Sequence, residues 1–188
     1  MPEHPLRADV PERPLRADAR RNRDKILAAA RDAFAASGYG VPLDQIAILA
    51  GVGPGTVYRH FPAKEALFEA VVTARVEDLI DDARARAGAD DAGRAFFGFL
   101  ARIAAEAAAK RDLPDAIAIT GSLQQDLYAA LDVLLRNAQA AGAVRADIST
   151  PELTVLLKGL LRSMQDASGP AMSDRLLAVV ADGLRPPR

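Results

Sequence analysis

The stretch Leu43–Leu67, LDQIAILAGVGPGTVYRHFPAKEAL, decides how this chain reads. Leu43–Ala50 has apolar residues at helical spacing, and the glycines at 51 and 53 interrupt it. Pro54 presets φ for a new first turn, so Gly55–Phe61 resumes as a second short helix, and Pro62 and Lys64 open a third. Successive helical residues turn by about 100°, which puts Val57 and Phe61 on one inward face. Gly55, Thr56 and Arg59 then lie on the opposite face, with Tyr58 and His60 to either side. A helix pair hinged on glycine, with a narrow centre and donors at both edges of its second member, has the layout that a DNA major groove accepts. A generic helical hairpin, with Tyr58 and His60 packed on neighbours, is the plainer alternative.

Upstream, residues 1–18 carry PLRAD twice, at Pro5–Asp9 and Pro14–Asp18, with four prolines and little apolar content. That composition predicts a flexible tail. A helical pattern runs from Arg20, with Ile26, Leu27, Ala30, Phe34 and Ser37 on one face and Gly38 as its stop. Downstream, apolar stripes predict helices over 63–87, 91–110, 122–141, 151–167 and 173–183, and Pro114 restarts the chain between two of them. Thr150 before Pro151 reads as an N-cap followed by proline at the first helical position. No alternation of strand period competes. The expectation is an all-α fold of about nine helices: a tail (1–18), a three-helix helix-turn-helix head (19–66) and a larger helical bundle (67–188).

Composition agrees. Half of the residues are hydrophobic but only 5% are aromatic, which favours packed helices over a sandwich. The net charge is −1, yet Ala19–Lys64 holds Arg20, Arg21, Arg23, Lys25, Arg31, Arg59 and Lys64 against Asp24, Asp32 and Asp44. From Glu69 onward, 14 basic residues face 17 acidic ones. A basic head on a mildly acidic body suits a molecule that meets phosphate at one end. Cysteine is absent, which removes disulfides and thiolate metal sites. No apolar run reaches membrane-spanning length and no signal-peptide core is present, so the expected location is the cytoplasm. The two histidines, His4 and His60, do not build a Ser-His-Asp site, and neither a P-loop nor a dinucleotide fingerprint occurs. An enzyme is not expected, nor a metal or cofactor.

At LDQIAILAGVGPGTVYRHFPAKEALF the chain resembles the DNA-binding region of the TetR family of bacterial transcriptional regulators, specifically over Arg23–Val72. The resemblance implies a three-helix head followed by an all-α regulatory domain that dimerises. It also implies phosphate contacts from Thr56, Tyr58, His60 and Lys64, and base contacts from Pro54, Gly55 and Arg59. Two places where the family often carries hydroxyl residues hold Val41, Pro42 and Gly53 instead, and the basic segment Arg20–Lys25 is the candidate substitute.

The pattern over Pro151–Ala167 is apolar nearly all round, so that helix must bury more than one face. Leu153, Leu156, Leu157, Leu160 and Leu161, with Leu176, Leu177, Val180 and Leu184 on the last helix, are the expected four-helix dimer interface, and Gly159 would admit a close partner helix. A buried central helix of a monomer is the other reading. The resemblance further implies a small-molecule pocket in the body, with Phe96, Phe99, Leu100, Ile103, Leu123, Leu127 and Met164 as candidate lining. Thr120, Gln124 and Gln165 are its candidate polar contacts. The expected function is a homodimeric DNA-binding repressor of a near-palindromic operator, released by a small molecule. The alternative is a helical ligand-binding or protein-interaction module whose head no longer binds DNA.

Overall fold

The computed structural model describes residues 12–108, 121–165 and 169–187. Among them are eight helices and no strand: α1 (Glu12–Ser37), α2 (Leu43–Ala50), α3 (Pro54–His60), α4 (Lys64–Ala87), α5 (Ala92–Ala108), α6 (Gly121–Ala140), α7 (Thr150–Gln165) and α8 (Pro170–Leu184). The expectation of about nine helices thus becomes eight among the described residues, and the restart at Pro114 lies outside them. The first helix begins at Glu12, well before Arg20, and so takes in the second PLRAD copy, read from sequence as tail. Pro14 does not prevent this, because in a first turn its missing N–H has no intrahelical acceptor to lose.

Two hydrophobic clusters organise the chain. The head cluster joins Ile26, Ala30, Ala33 and Phe34 of α1, Val41, Leu43, Ile46 and Ala47 around α2, Val57 and Phe61 at α3, and Leu67, Phe68 and Val71 of α4. Phe34, Tyr39 and Phe68 form an aromatic trio within it, with ring centroids 5.2–6.1 Å apart. Ser37, expected on the inward face of α1, is exposed, and Ala33 takes its place. The body cluster begins further along α4, at Val76, Ile80 and Ala83, and gathers Phe96, Phe99, Leu100, Leu134, Leu135, Val144, Leu153 and Leu184 among others. Each such side chain contributes about 1.5–3 kcal/mol on burial. A division at 66/67 therefore falls at the start of a helix that serves both cores.

The glycine hinges are built as reciprocal C-caps. Gly51 (φ +65°) ends α2, its N–H donating to the Ile48 carbonyl at 3.1 Å while the Val52 N–H reaches the Ala47 carbonyl at 3.1 Å. This Schellman arrangement satisfies carbonyls that the helix leaves open and turns the chain into α3. Gly142 (φ +69°) repeats it at the end of α6, through Gly142 to Gln139 and Ala143 to Ala138. The loop that follows is held by the Gln139 side-chain amide, which donates to the carbonyls of Arg145 (3.0 Å) and Ile148 (2.8 Å). The Arg145 N–H donates to the Leu184 carbonyl at the end of α8.

At the start of α7 the cap is not Thr150. Ser149 and Glu152 form a capping box, the Glu152 carboxylate accepting the Ser149 N–H at 2.8 Å. Thr150 is buried, and its hydroxyl donates to Asp132 of α6 at 2.6 Å. That bond fixes α7 against α6.

Candidate nucleic-acid interface and ligand cavity

Helix α3 is anchored by its inward pair: Val57 is fully buried and Phe61, just past its end, is 3% exposed. Pro54, Gly55, Tyr58 and Arg59 are exposed, Tyr58 by 48%, while Thr56 and His60 are half-buried at the edges. Arg59 folds back along its own helix, Nε donating to the Gly55 carbonyl (3.1 Å) and Nη2 to the Thr56 hydroxyl (3.2 Å). That contact orients Thr56 and holds the guanidinium on the outer face. A Cβ added at Gly55 would meet nothing within 4 Å, so the chain's own packing does not demand glycine there.

Cations are fixed around this face. Lys64, the first residue of α4, holds its Nζ 4.6 Å from the Tyr39 ring centroid, and Arg23 of α1 lies 4.9 Å from that of Phe61. The Tyr39 hydroxyl donates to Glu65 at 2.7 Å. This bond pushes the hydroxyl above its ordinary pKa and holds the Glu65 carboxyl below its own. Arg20, Arg21 and Lys25 are exposed on α1, with Arg21 paired to Asp18. A groove of about 360 Å³ runs between α1 and α3, lined by Asp18, Ala19, Asn22, Thr56, Arg59 and His60.

The hydroxyl departures have visible consequences. Val41 is 5% exposed and belongs to the head core. Pro42 and Gly53, the N-caps of α2 and α3, give no side-chain cap hydrogen bond, and Ala63 gives none to α4. Relative to a hydroxyl cap, alanine at 63 forgoes about 1 kcal/mol, whereas glycine at 53 forgoes only a few tenths. The aromatic trio and the Gly51 cap are among the contacts that hold the head.

In the body, α5, α6 and α7 enclose a cavity of about 360 Å³. Of the candidate lining residues Phe99, Ile103, Gln124 and Leu127 reach it, together with Tyr128, Leu131, Thr154, Leu157, Lys158 and Leu161. Phe96, Leu100 and Met164 are instead core residues with 0–2% exposure that do not reach it. Leu123 packs half-buried against the core, and Thr120 and the Gln165 side chain lie outside the described residues.

An ion ladder joins α4 to the cavity-bearing α5. Arg75 meets Glu106 at 2.7 Å, Arg102 meets Glu106 at 3.2 Å and Asp82 at 3.1 Å, and Arg86 meets Asp82 at 2.7 Å. Desolvation pushes the Asp82 carboxyl up, but hydrogen bonds from Arg86 and Arg102 outweigh it and hold it below the usual range.

The residues expected at a dimer interface divide. Leu153, Leu157, Leu160 and Leu184 are at most 7% exposed and fill the chain's own core, and Leu161, Leu176, Leu177 and Val180 pack half-buried against it. The apolar surface left outside is Leu156, Val155, Met172 and Val179, between 41% and 71% exposed. A groove of about 530 Å³ between α7 and α8 runs past Leu156, Val179, Val180 and Gly183. The N–H-to-carbonyl ladder cannot divide a helix this way. Only the packing of α5, α6 and α8 on one side of α7 does.

Comparison with known proteins matches this architecture. Residues 26–71 match the family described as bacterial regulatory proteins, tetR family, and residues 91–186 match the C-terminal domain of SbtR-like transcriptional regulators. A TetR transcription regulatory protein from Mycobacterium vanbaalenii is 41% identical, with 92% of this chain and 99% of that chain covered and a TM-score of 0.71. A TetR transcriptional regulator from Streptomyces coelicolor is 36% identical over 88% of this chain and 99% of that one, with a TM-score of 0.72. RolR in complex with resorcinol shares the fold at 20% identity, 89% coverage of both chains and a TM-score of 0.58. Comparison with curated proteins gave no match. None of the described helices is long and apolar enough to cross a membrane. The chain belongs to the TetR family of DNA-binding bacterial transcriptional regulators.

Proposed function

We propose that the protein is a homodimeric repressor that occupies a near-palindromic operator and is released from it by a small molecule bound in the body. The observation that carries this reading is α4: Leu67, Phe68 and Val71 sit in the head core, and Val76, Ile80 and Ala83 in the body core. The same helix is tied by the Arg75–Glu106–Arg102–Asp82 ladder to α5, whose Phe99 and Ile103 line the cavity. A ligand that binds the two dimer arrangements unequally shifts the population between them by that difference in affinity.

In this reading Pro54, Gly55 and Arg59 approach base edges, while Thr56, Tyr58, His60 and Lys64 hold the phosphate walls. The exposed Arg20, Arg21 and Lys25 of α1 add charge beside the same half-site, where the caps at Pro42 and Gly53 supply no hydroxyl. The outer faces of α7 and α8 pair two copies, with Val155, Leu156, Gly159, Met172 and Val179 as the contact set. The two-fold axis then sets the α3 helices one helical turn of DNA, about 34 Å, or a multiple of it apart. Among the described residues the polar cluster Asp82–Arg102–Glu106 is internally paired, an arrangement that suits a structural tie between helices and not bond-making chemistry.

Anisotropy titration of the dimer with labelled duplex from the flanks of its own gene tests this. Salt-sensitive binding at least about a thousandfold tighter than to random duplex is expected. Equal affinity for both duplexes would overturn it and favour a ligand-binding or protein-interaction module whose head no longer reads DNA.

A further inference from the structure

The geometry points to a small carboxylate with an apolar body as the ligand of the α5–α6–α7 cavity, its anionic end held at the mouth by Lys158. This rests on the ligand-release reading above and adds the chemistry that the site selects. The cavity walls are Phe99, Ile103, Leu127, Leu131, Leu157 and Leu161. Such walls take hydrocarbon or an aromatic ring and give no hydrogen bond to a polar body. The neutral polar groups are confined to Gln124 and Tyr128 of α6 and Thr154 of α7, and the one lining charge among the described residues is Lys158.

Lys158 lies one turn beyond Thr154 on α7; it lines the cavity and is also exposed to solvent, as a residue at the cavity's rim is. Among the described residues no carboxylate lines the cavity and none pairs with Lys158. Two acids on the helices around the cavity are committed elsewhere: Asp132 of α6 to Arg136 and the Thr150 hydroxyl, and Glu106 of α5 to Arg75 and Arg102. The Thr154 hydroxyl already donates to the Thr150 carbonyl at 2.8 Å, so it offers an anion nothing. The Gln124 amide and the Tyr128 hydroxyl are the other donors among the described lining residues. A cation at the rim of an apolar cavity, with donors and, among the described residues, no acid in the lining, selects an acidic head group over a neutral or cationic one.

Volume sets the size. About 360 Å³ lies at the small end of the range of ligand pockets, which suits an arylalkyl or medium-chain carboxylate.

The test uses the full chain with 4-phenylbutyrate and its neutral counterpart 4-phenylbutan-1-ol, measured by calorimetry. The carboxylate is expected to bind about fivefold tighter than the alcohol, the modest factor appropriate to an ion pair that stays partly wet. Lys158→Gln is expected to erase that preference and leave the alcohol's affinity as it was, which also shows that the variant folds with its cavity intact. A preference that survives Lys158→Gln, an alcohol that binds as well as the carboxylate, or no binding of either at millimolar concentration would each overturn the assignment. Anisotropy with operator DNA in the same samples separates this from the wider reading. Release by the alcohol alone would leave ligand control standing without the anion. Carboxylate binding that leaves operator affinity unchanged would leave the anion site standing and remove ligand control.

Discussion

The head and the body are both helices around a buried cluster, yet their candidate sites lie in opposite places. The head core is filled: Ile26, Ile46, Val57 and Leu67 are fully buried, and the groups proposed to meet DNA stand outside, on α3 and the start of α4. The body leaves space inside, a cavity between α5, α6 and α7, and an uncovered apolar face on α7 and α8. A surface that reads a rigid duplex needs its donors held at fixed spacing, which a packed scaffold supplies. A sensor needs room and two arrangements of similar energy.

The strongest way to break that contrast is to empty the head core. Phe61→Ala removes a buried ring that Arg23 also covers, and should cost about 3–5 kcal/mol. Hydrogen exchange is expected to show α2 and α3 losing protection while α6 and α7 keep theirs, with operator binding abolished. Equal loss of protection along α6 and α7 would mean that α4 makes the two cores one cooperative unit.

The second test addresses the outer face of the body. Gly159 is exposed, and a Cβ there would meet nothing within 4 Å of its own chain. Gly159→Trp should therefore leave the circular dichroism of the chain unchanged. Because a two-fold interface meets each substitution twice, the dimer dissociation constant should rise about a hundredfold, or about 2.7 kcal/mol. Sedimentation equilibrium reads this directly, and an unshifted dimer would move the interface away from Gly159.

The contrast also explains what the sequence could and could not convey. The head was legible almost to the residue, because Gly38, Gly51, Pro54 and Pro62 punctuate it and Val57 and Phe61 repeat at helical spacing. Its start was not: prolines that read as a tail proved compatible with a first turn at Glu12. In the body, Phe96 and Phe99 have the same chemistry and lie one turn apart, yet only Phe99 reaches the cavity. Leu153 and Leu156 differ by three positions, yet one fills the core and the other stays outside. Those outcomes depend on which neighbours pack where, which no local pattern encodes. Two signals were readable and passed over. Ser149-x-x-Glu152 is a capping-box spacing, and Lys158 is a single charge set among Leu157, Leu160 and Leu161.

A smaller effect sharpens the outer face of the head. Lys64→Ala should weaken binding to all duplexes alike, by a few-fold, and lower the salt slope by about 0.9, as loss of one phosphate contact does. The cation–π contact with Tyr39 does not replace that charge. An unchanged slope would confine Lys64 to its role against the ring.

The smallest effect is the most discriminating, because stability and binding should move in opposite directions. Gly55 is helical, has no positive φ and faces open space within the chain. Alanine there should stabilise the free protein by about 0.5 kcal/mol through helix propensity, a rise of about 1–2 °C in Tm for a chain of this size. If α3 lies in the groove with Gly55 at the closest approach, the same methyl group must displace DNA and weaken operator binding. A variant that melts higher and binds less would place Gly55 against the bases. One that melts higher and binds equally well would shift the approach towards Tyr58 and Arg59, leaving the packed core of the head unchanged and its reading face rotated about that core.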